Sequence, residues 1–79
     1  MAMMTLKQLR VGSTAILGEI KAERVFRRRL MEMGLLPGTR IRLLRRVEVG
    51  GLVQLRVRGC SVSLRVTEAE RLRFTPDGA

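Results

Sequence analysis

Val53-Gln54-Leu55-Arg56-Val57-Arg58-Gly59-Cys60-Ser61-Val62-Ser63-Leu64-Arg65-Val66 is the stretch on which the fold turns. Val53, Leu55 and Val57 alternate with Gln54, Arg56 and Arg58, the period of two that gives a strand one face in a core and one in water. The alternation resumes with Cys60, Val62, Leu64 and Val66 on the inward side and Ser61, Ser63 and Arg65 on the outward side. Arg58-Gly59 leaves only two residues for the reversal, so the two strands read as a tight antiparallel hairpin with a basic outer face.

Working outward, Gly50-Gly51 supplies the turn ahead of this hairpin, and Thr39 to Val47 reads as a further strand through Ile41 and Leu43. Leu44 breaks that alternation and marks a bulge. Thr14 to Ile20 places Ile16, Gly18 and Ile20 on one side and Ala15, Leu17 and Glu19 on the other, with a bend or bulge at Gly18. On the C-terminal side Thr67 and Glu70 have capping-box spacing, but only a single turn, read as 3₁₀, fits before Leu72 and Phe74 resume alternation. Glu23 to Met33 is the helical stretch: at about 100° per residue, Phe26, Leu30 and Met33 share a core-facing side and Arg24, Arg27 and Arg28 lie opposite. Gly34 stands where a left-handed C-cap residue belongs, and Pro37-Gly38 turns the chain into the next strand. Five short strands with one short inserted α-helix predict an all-β domain closed into a small barrel, since closure removes the exposed edges of an open sheet.

With 79 residues, the chain reads as a single domain over 1–79 with a core of about residues 6–74, because so short a chain buries only roughly 60% of its unfolded surface. No apolar run approaches the roughly 20 residues of a membrane-spanning helix, and Lys7 and Arg10 interrupt an N-terminal stretch that lacks secretory character. A cytoplasmic location is expected, and Cys60, the single cysteine, has no internal disulfide partner.

Sixteen Lys and Arg against seven Asp and Glu give a formal charge of +9, which draws acidic partners: nucleic acid, anionic headgroups or an acidic protein surface. The sequence has no His, Trp or Tyr, so the usual general base and any Cys-His or Ser-His pair are missing. The acids Glu19, Glu23, Glu32, Glu48, Glu68, Glu70 and Asp77 are scattered, and arginines flank most of them, a setting for ion pairs rather than for proton transfer. The chain is not expected to be an enzyme. Cys60 shares inward parity with Val62 and Leu64, and no second Cys or any His completes a metal site. No metal ligands are assigned and no cofactor is required, beyond weak adventitious divalent metal binding to surface carboxylates.

The stretch Arg29-Leu30-Met31-Glu32-Met33-Gly34-Leu35-Leu36-Pro37-Gly38, with Gly59-Cys60-Ser61-Val62-Ser63-Leu64-Arg65 followed by Glu68-Ala69, resembles the ferrous iron transport protein A (FeoA) family. Similarity runs from about Leu6, through Leu9 and Gly12, to Phe74. The resemblance implies a cytosolic SH3-like barrel acting with the large membrane protein FeoB, whose GTP-binding domain and transmembrane channel bring ferrous iron into bacteria. Related barrels form the C-terminal domain of iron-dependent repressors, but no DNA-binding helical domain precedes the barrel here. SH3 domains that hold polyproline do so in an aromatic groove, and this chain has only Phe26 and Phe74.

The partner-binding candidates are Arg24, Arg27, Arg28 and Met31, with Leu35 and Leu36 extending the patch. Met31 projects about 140° away from Phe26 on the helical wheel, among the arginines, and Met and Arg are both enriched at interfaces. The outward arginines Arg56, Arg58, Arg65, Arg71 and Arg73 form a candidate basic surface. That surface admits, as the alternative, a small basic nucleic-acid-binding β-barrel, against which stands the lack of stacking aromatics. The favoured expectation is a regulatory module on the cytosolic side of a FeoB-type transporter. Packing between copies, as a homo-oligomer, would require counter-ions to screen the basic faces.

Overall fold

The computed structural model describes residues 3–47 and 49–77. A 3₁₀ turn at Leu6–Gln8 leads into β1 (Thr14–Ile20), α1 (Arg24–Glu32), β2 (Arg40–Val47), β3 (Leu52–Val57), β4 (Cys60–Arg65), α2 (Val66–Ala69) and β5 (Leu72–Pro76). The strands form one antiparallel sheet in the order β4-β3-β2-β1-β5.

This order corrects the expected barrel. β4 and β5 are the two ends of the sheet, and no ladder joins them among the described residues, so the sheet is open. Closure was inferred from the need to hide edges, and the chain manages them in other ways. The segment ahead of the 3₁₀ turn runs along β5, where Met4 and Phe74 exchange two backbone hydrogen bonds of 2.7 and 2.8 Å. β4 is short and its exposed residues, Cys60, Ser61, Ser63 and Arg65, are small, polar or charged.

Both expected bulges are present, as register shifts between Leu17 and Glu19 and between Leu43 and Arg45. The Gly18 bulge changes which residues of β1 face inward: Ala15 and Leu17 are buried before it, and Ile20 after it. The inward residues of all five strands share one core with Leu6, Leu9, Leu30, Leu35 and Ala69. At the β3–β4 turn both Arg58 and Gly59 have positive φ, 52° and 81°, as a two-residue hairpin requires.

The segment after β4 is an α-helical turn rather than a 3₁₀ one, and its cap lies two residues earlier than the spacing of Thr67 and Glu70 predicts. The Arg65 backbone N–H donates to the Glu68 carboxylate at 2.9 Å. Val66 therefore opens this helix and is half-buried instead of extending β4. Parity predicts burial for Cys60, but the structure exposes it. It is the first residue after the hairpin, on an edge strand with no neighbour to cover its outer side.

The end of α1 decides what the next site can be. The Gly34 N–H donates to the Met31 carbonyl at 3.0 Å and the Leu35 N–H to the Leu30 carbonyl at 3.1 Å, with Gly34 at φ 98°. These are the two bonds of a Schellman reversal, and they sink Leu35 into the core beside the sheet. Leu35 thereby takes the place that helical periodicity gives to Met33, which is the C-cap residue and is 44% exposed. A hydrogen bond of 3.0 Å from the Thr39 N–H to the Leu36 carbonyl closes the Pro37-Gly38 turn, with Gly38 at φ 91° as a type II turn requires.

Candidate functional site

Two basic regions emerge, and they divide the candidate residues differently from the sequence reading. The first is the outer side of α1. Arg24, Arg27, Arg28 and Met31 line one shallow depression together with Glu32. Met31 is 36% exposed, and Leu30 beside it holds the helix to the core at 1%. Arg28 and Glu32 approach to 4.0 Å, an exposed pair one helical turn apart that adds little to stability. The apolar surface here differs from expectation: Leu35 is fully buried and is not part of it, Leu36 is half-buried, and the exposed Met33 follows Met31 by two residues.

The second region lies on the outer face of the sheet, where the five arginines expected to form one surface are dispersed. Arg56 and Arg58 line a cleft with Arg40, Arg42, Thr14, Thr39, Gly38 and Gly59. Arg71 lines a separate depression with Glu23, Phe26, Thr67 and Glu68. The Arg73 guanidinium donates to the backbone carbonyls of Glu70 at 2.7 Å and Leu72 at 2.9 Å, so it braces the chain locally. Arg65 is exposed at the end of β4.

Sequence reasoning missed Arg40 and Arg42, although their alternation with the buried Ile41 and Leu43 was the signal that would have placed them outward. Ladder register sets Arg42 directly opposite Arg56, with Thr14 on the far side of Arg42 and Ser61 on the far side of Arg56. One transverse row thus reads hydroxyl, guanidinium, guanidinium, hydroxyl. Arg40 is neutralised at one end by Asp77, 3.0 Å from its Nε, and Asp77 also accepts a 2.8 Å bond from the Thr14 hydroxyl. Arg42, Arg56 and Arg58 have no carboxylate partner among the described residues.

No cluster of three or more Cys, Asp or Glu side chains that could hold an ion occurs among the described residues. No helix among them is long and apolar enough to cross a membrane.

Comparison with known proteins gives the same fold repeatedly. The solution structure of the FeoA protein from Chlorobium tepidum has a TM-score of 0.84 at 31% identity, covering 95% of this chain and 71% of that one. The FeoA-like protein from Clostridium acetobutylicum has a TM-score of 0.84 at 29% identity, covering all of this chain (100%) and 92% of that one. IdeR from T. acidophilum has a TM-score of 0.82 at 26% identity and contains the same arrangement within a longer protein, with 98% of this chain matching 35% of that one. No curated protein matches the sequence. The FeoA domain family matches residues 4–76, nearly the whole of the sequence, and the chain belongs to that family.

Proposed function

We propose that this chain is the cytosolic accessory of a FeoB-type ferrous iron transporter and that it docks through the outer side of α1. FeoA-family proteins are non-catalytic accessory components of bacterial ferrous iron uptake, and membership brings the chain that role. The observation that carries the docking surface is Met31, exposed among Arg24, Arg27 and Arg28 on a helix whose other side is fixed in the core through Leu30. Guanidinium groups around a flexible apolar side chain suit an acidic protein surface: the charges speed encounter and the buried methionine lengthens the complex's life. Docking biases the transporter only to the extent that the surface contacted differs between its conformations.

The test is binding to the cytosolic part of FeoB at moderate and high salt, with Met31→Asp and Arg27→Glu beside the wild type. Saturable binding weakened about tenfold by Met31→Asp, the scale of one lost interface anchor, and weakened further by salt in the wild type, is the expected result. A wild type that ignores the transporter yet binds RNA or DNA tightly, with steep salt dependence, replaces this reading with a nucleic-acid-binding one.

A further inference from the structure

We infer that the outer face of the β2–β3 ladder is a binding site for a soluble polyphosphate group, formed by Arg42, Arg56 and Arg58 and flanked by the hydroxyls of Thr14 and Ser61. The site shares no residue with the α1 surface and does not depend on transporter docking.

Two features of this face oppose folding. Directly opposed like charges destabilise a ladder, and Arg42 and Arg56 are directly opposed. Arg58 holds φ 52° at a turn position where glycine or asparagine sits without strain. Costs of this kind concentrate where a ligand is held. An anion held over the outer face, between the two guanidinium groups, turns the repulsion into attraction, because opposed residues lie about 5 Å apart at Cα and two guanidinium forks can close on one tetrahedral group.

The shape of the patch selects the anion. Eight residues line a single cleft at one end of the sheet; of the other outward arginines, Arg45 lines a separate depression with Arg46, Val47 and Val49, Arg71 lines another, Arg73 is committed to backbone carbonyls and Arg65 stands at the far end of β4. A nucleic-acid strand needs a continuing groove and stacking platforms, and the two phenylalanines are a buried Phe74 and a half-buried Phe26. Two planar guanidinium forks side by side, with the Ser61 hydroxyl as a neutral donor beyond Arg56, match the crowded oxygens of a phosphoryl chain. The Asp77 carboxylate, held by Arg40 and Thr14, closes one end of the row to further negative charge and directs the anion toward Arg42, Arg56 and Arg58.

The experiment is titration of the full chain with inorganic triphosphate at near-physiological salt, read by calorimetry, with phosphatidylglycerol vesicles and a mixed-sequence RNA oligonucleotide as parallel arms. Wild type is expected to bind triphosphate saturably. Arg42→Gln and Arg56→Gln should each weaken it about tenfold or more, the scale of one charged hydrogen-bonding group, while Lys21→Gln, which removes an equal charge elsewhere, changes it less than about twofold. Arg58→Asn, whose residue tolerates the turn, should weaken triphosphate binding with the thermal midpoint kept or raised. Absence of saturable triphosphate binding overturns the site, as does binding that Lys21→Gln weakens as much as Arg42→Gln. Uptake by vesicles or RNA without triphosphate binding overturns it in favour of those partners.

Discussion

Met31, Met33 and Leu35 lie within five residues of one another and end in three different environments, so the helix terminus matters more than hydrophobicity. The wheel places Met31 correctly, because it lies inside α1 where the 100° period of about 3.6 residues per turn still holds. The same period fails at Met33, where the helix has ended, and the left-handed Gly34 hands the core position to Leu35. Leu35→Ala should therefore cost about 2–5 kcal/mol by emptying a buried site, whereas Met31→Ala should change stability by less than about 1 kcal/mol. Urea unfolding of the two variants, at unchanged slope, checks the contrast; equal losses would mean that Met31 is a core residue. Arg46 was not legible at all. It belongs to a run of arginines, yet its guanidinium donates to the carbonyls of Leu6 and Leu9, both at 2.7 Å, and ties the N-terminal turn to the sheet. Partners about forty residues away leave no trace in local periodicity.

At the scale of elements, four of the strands stood out because each alternates for several residues between turn residues with definite conformations, as at Arg58-Gly59 and Pro37-Gly38. β1 was legible as a strand, but its inward face was not, since the bulge at Gly18 shifts the side-chain phase within seven residues. The openness of the sheet was illegible for another reason: strand patterns report which side of a strand is buried, never which strands are neighbours. The edge that closure was expected to hide is covered on β5 by the Met4 segment, whose composition shows no strand alternation. Pairing also explains why the basic cleft was only half found, since Arg42 meets Arg56 through register alone. Removing that opposition should stabilise the unliganded protein. Arg42→Thr is expected to gain about 0.5 kcal/mol, or a rise of roughly 2–4 °C in thermal midpoint for a domain of this size, in phosphate-free buffer. A fall in the midpoint would show that the arginine is already neutralised in the fold.

Across the whole molecule, the ladders differ in how far apart along the chain their partners lie. β2, β3 and β4 are joined by two hairpins, one across Arg58-Gly59 and one across the Gly50-Gly51 turn, so their pairs form between near neighbours. β1 and β5 pair across most of the chain, from Ala15 with Pro76 to Ile20 with Leu72, and the Met4–Phe74 bridge extends this long-range union. Non-local pairs must overcome loop closure before they return any stability, so the hairpins should assemble first and the β1–β5 seam last. Met4 beside Phe74 also brings the two extremities of the described chain together. A circular permutant that joins them with a short Gly-Ser linker and reopens at the Pro37-Gly38 turn keeps both hairpins, makes the β1–β5 seam local and leaves only the three-pair β1–β2 ladder long-range, so it should fold faster than the natural order of segments in stopped-flow refolding. If the natural chain folds as fast, the seam is not the bottleneck. A seam that forms last is also the first to part, which makes β5 the strand where brief local opening would exchange its backbone hydrogens ahead of the hairpins.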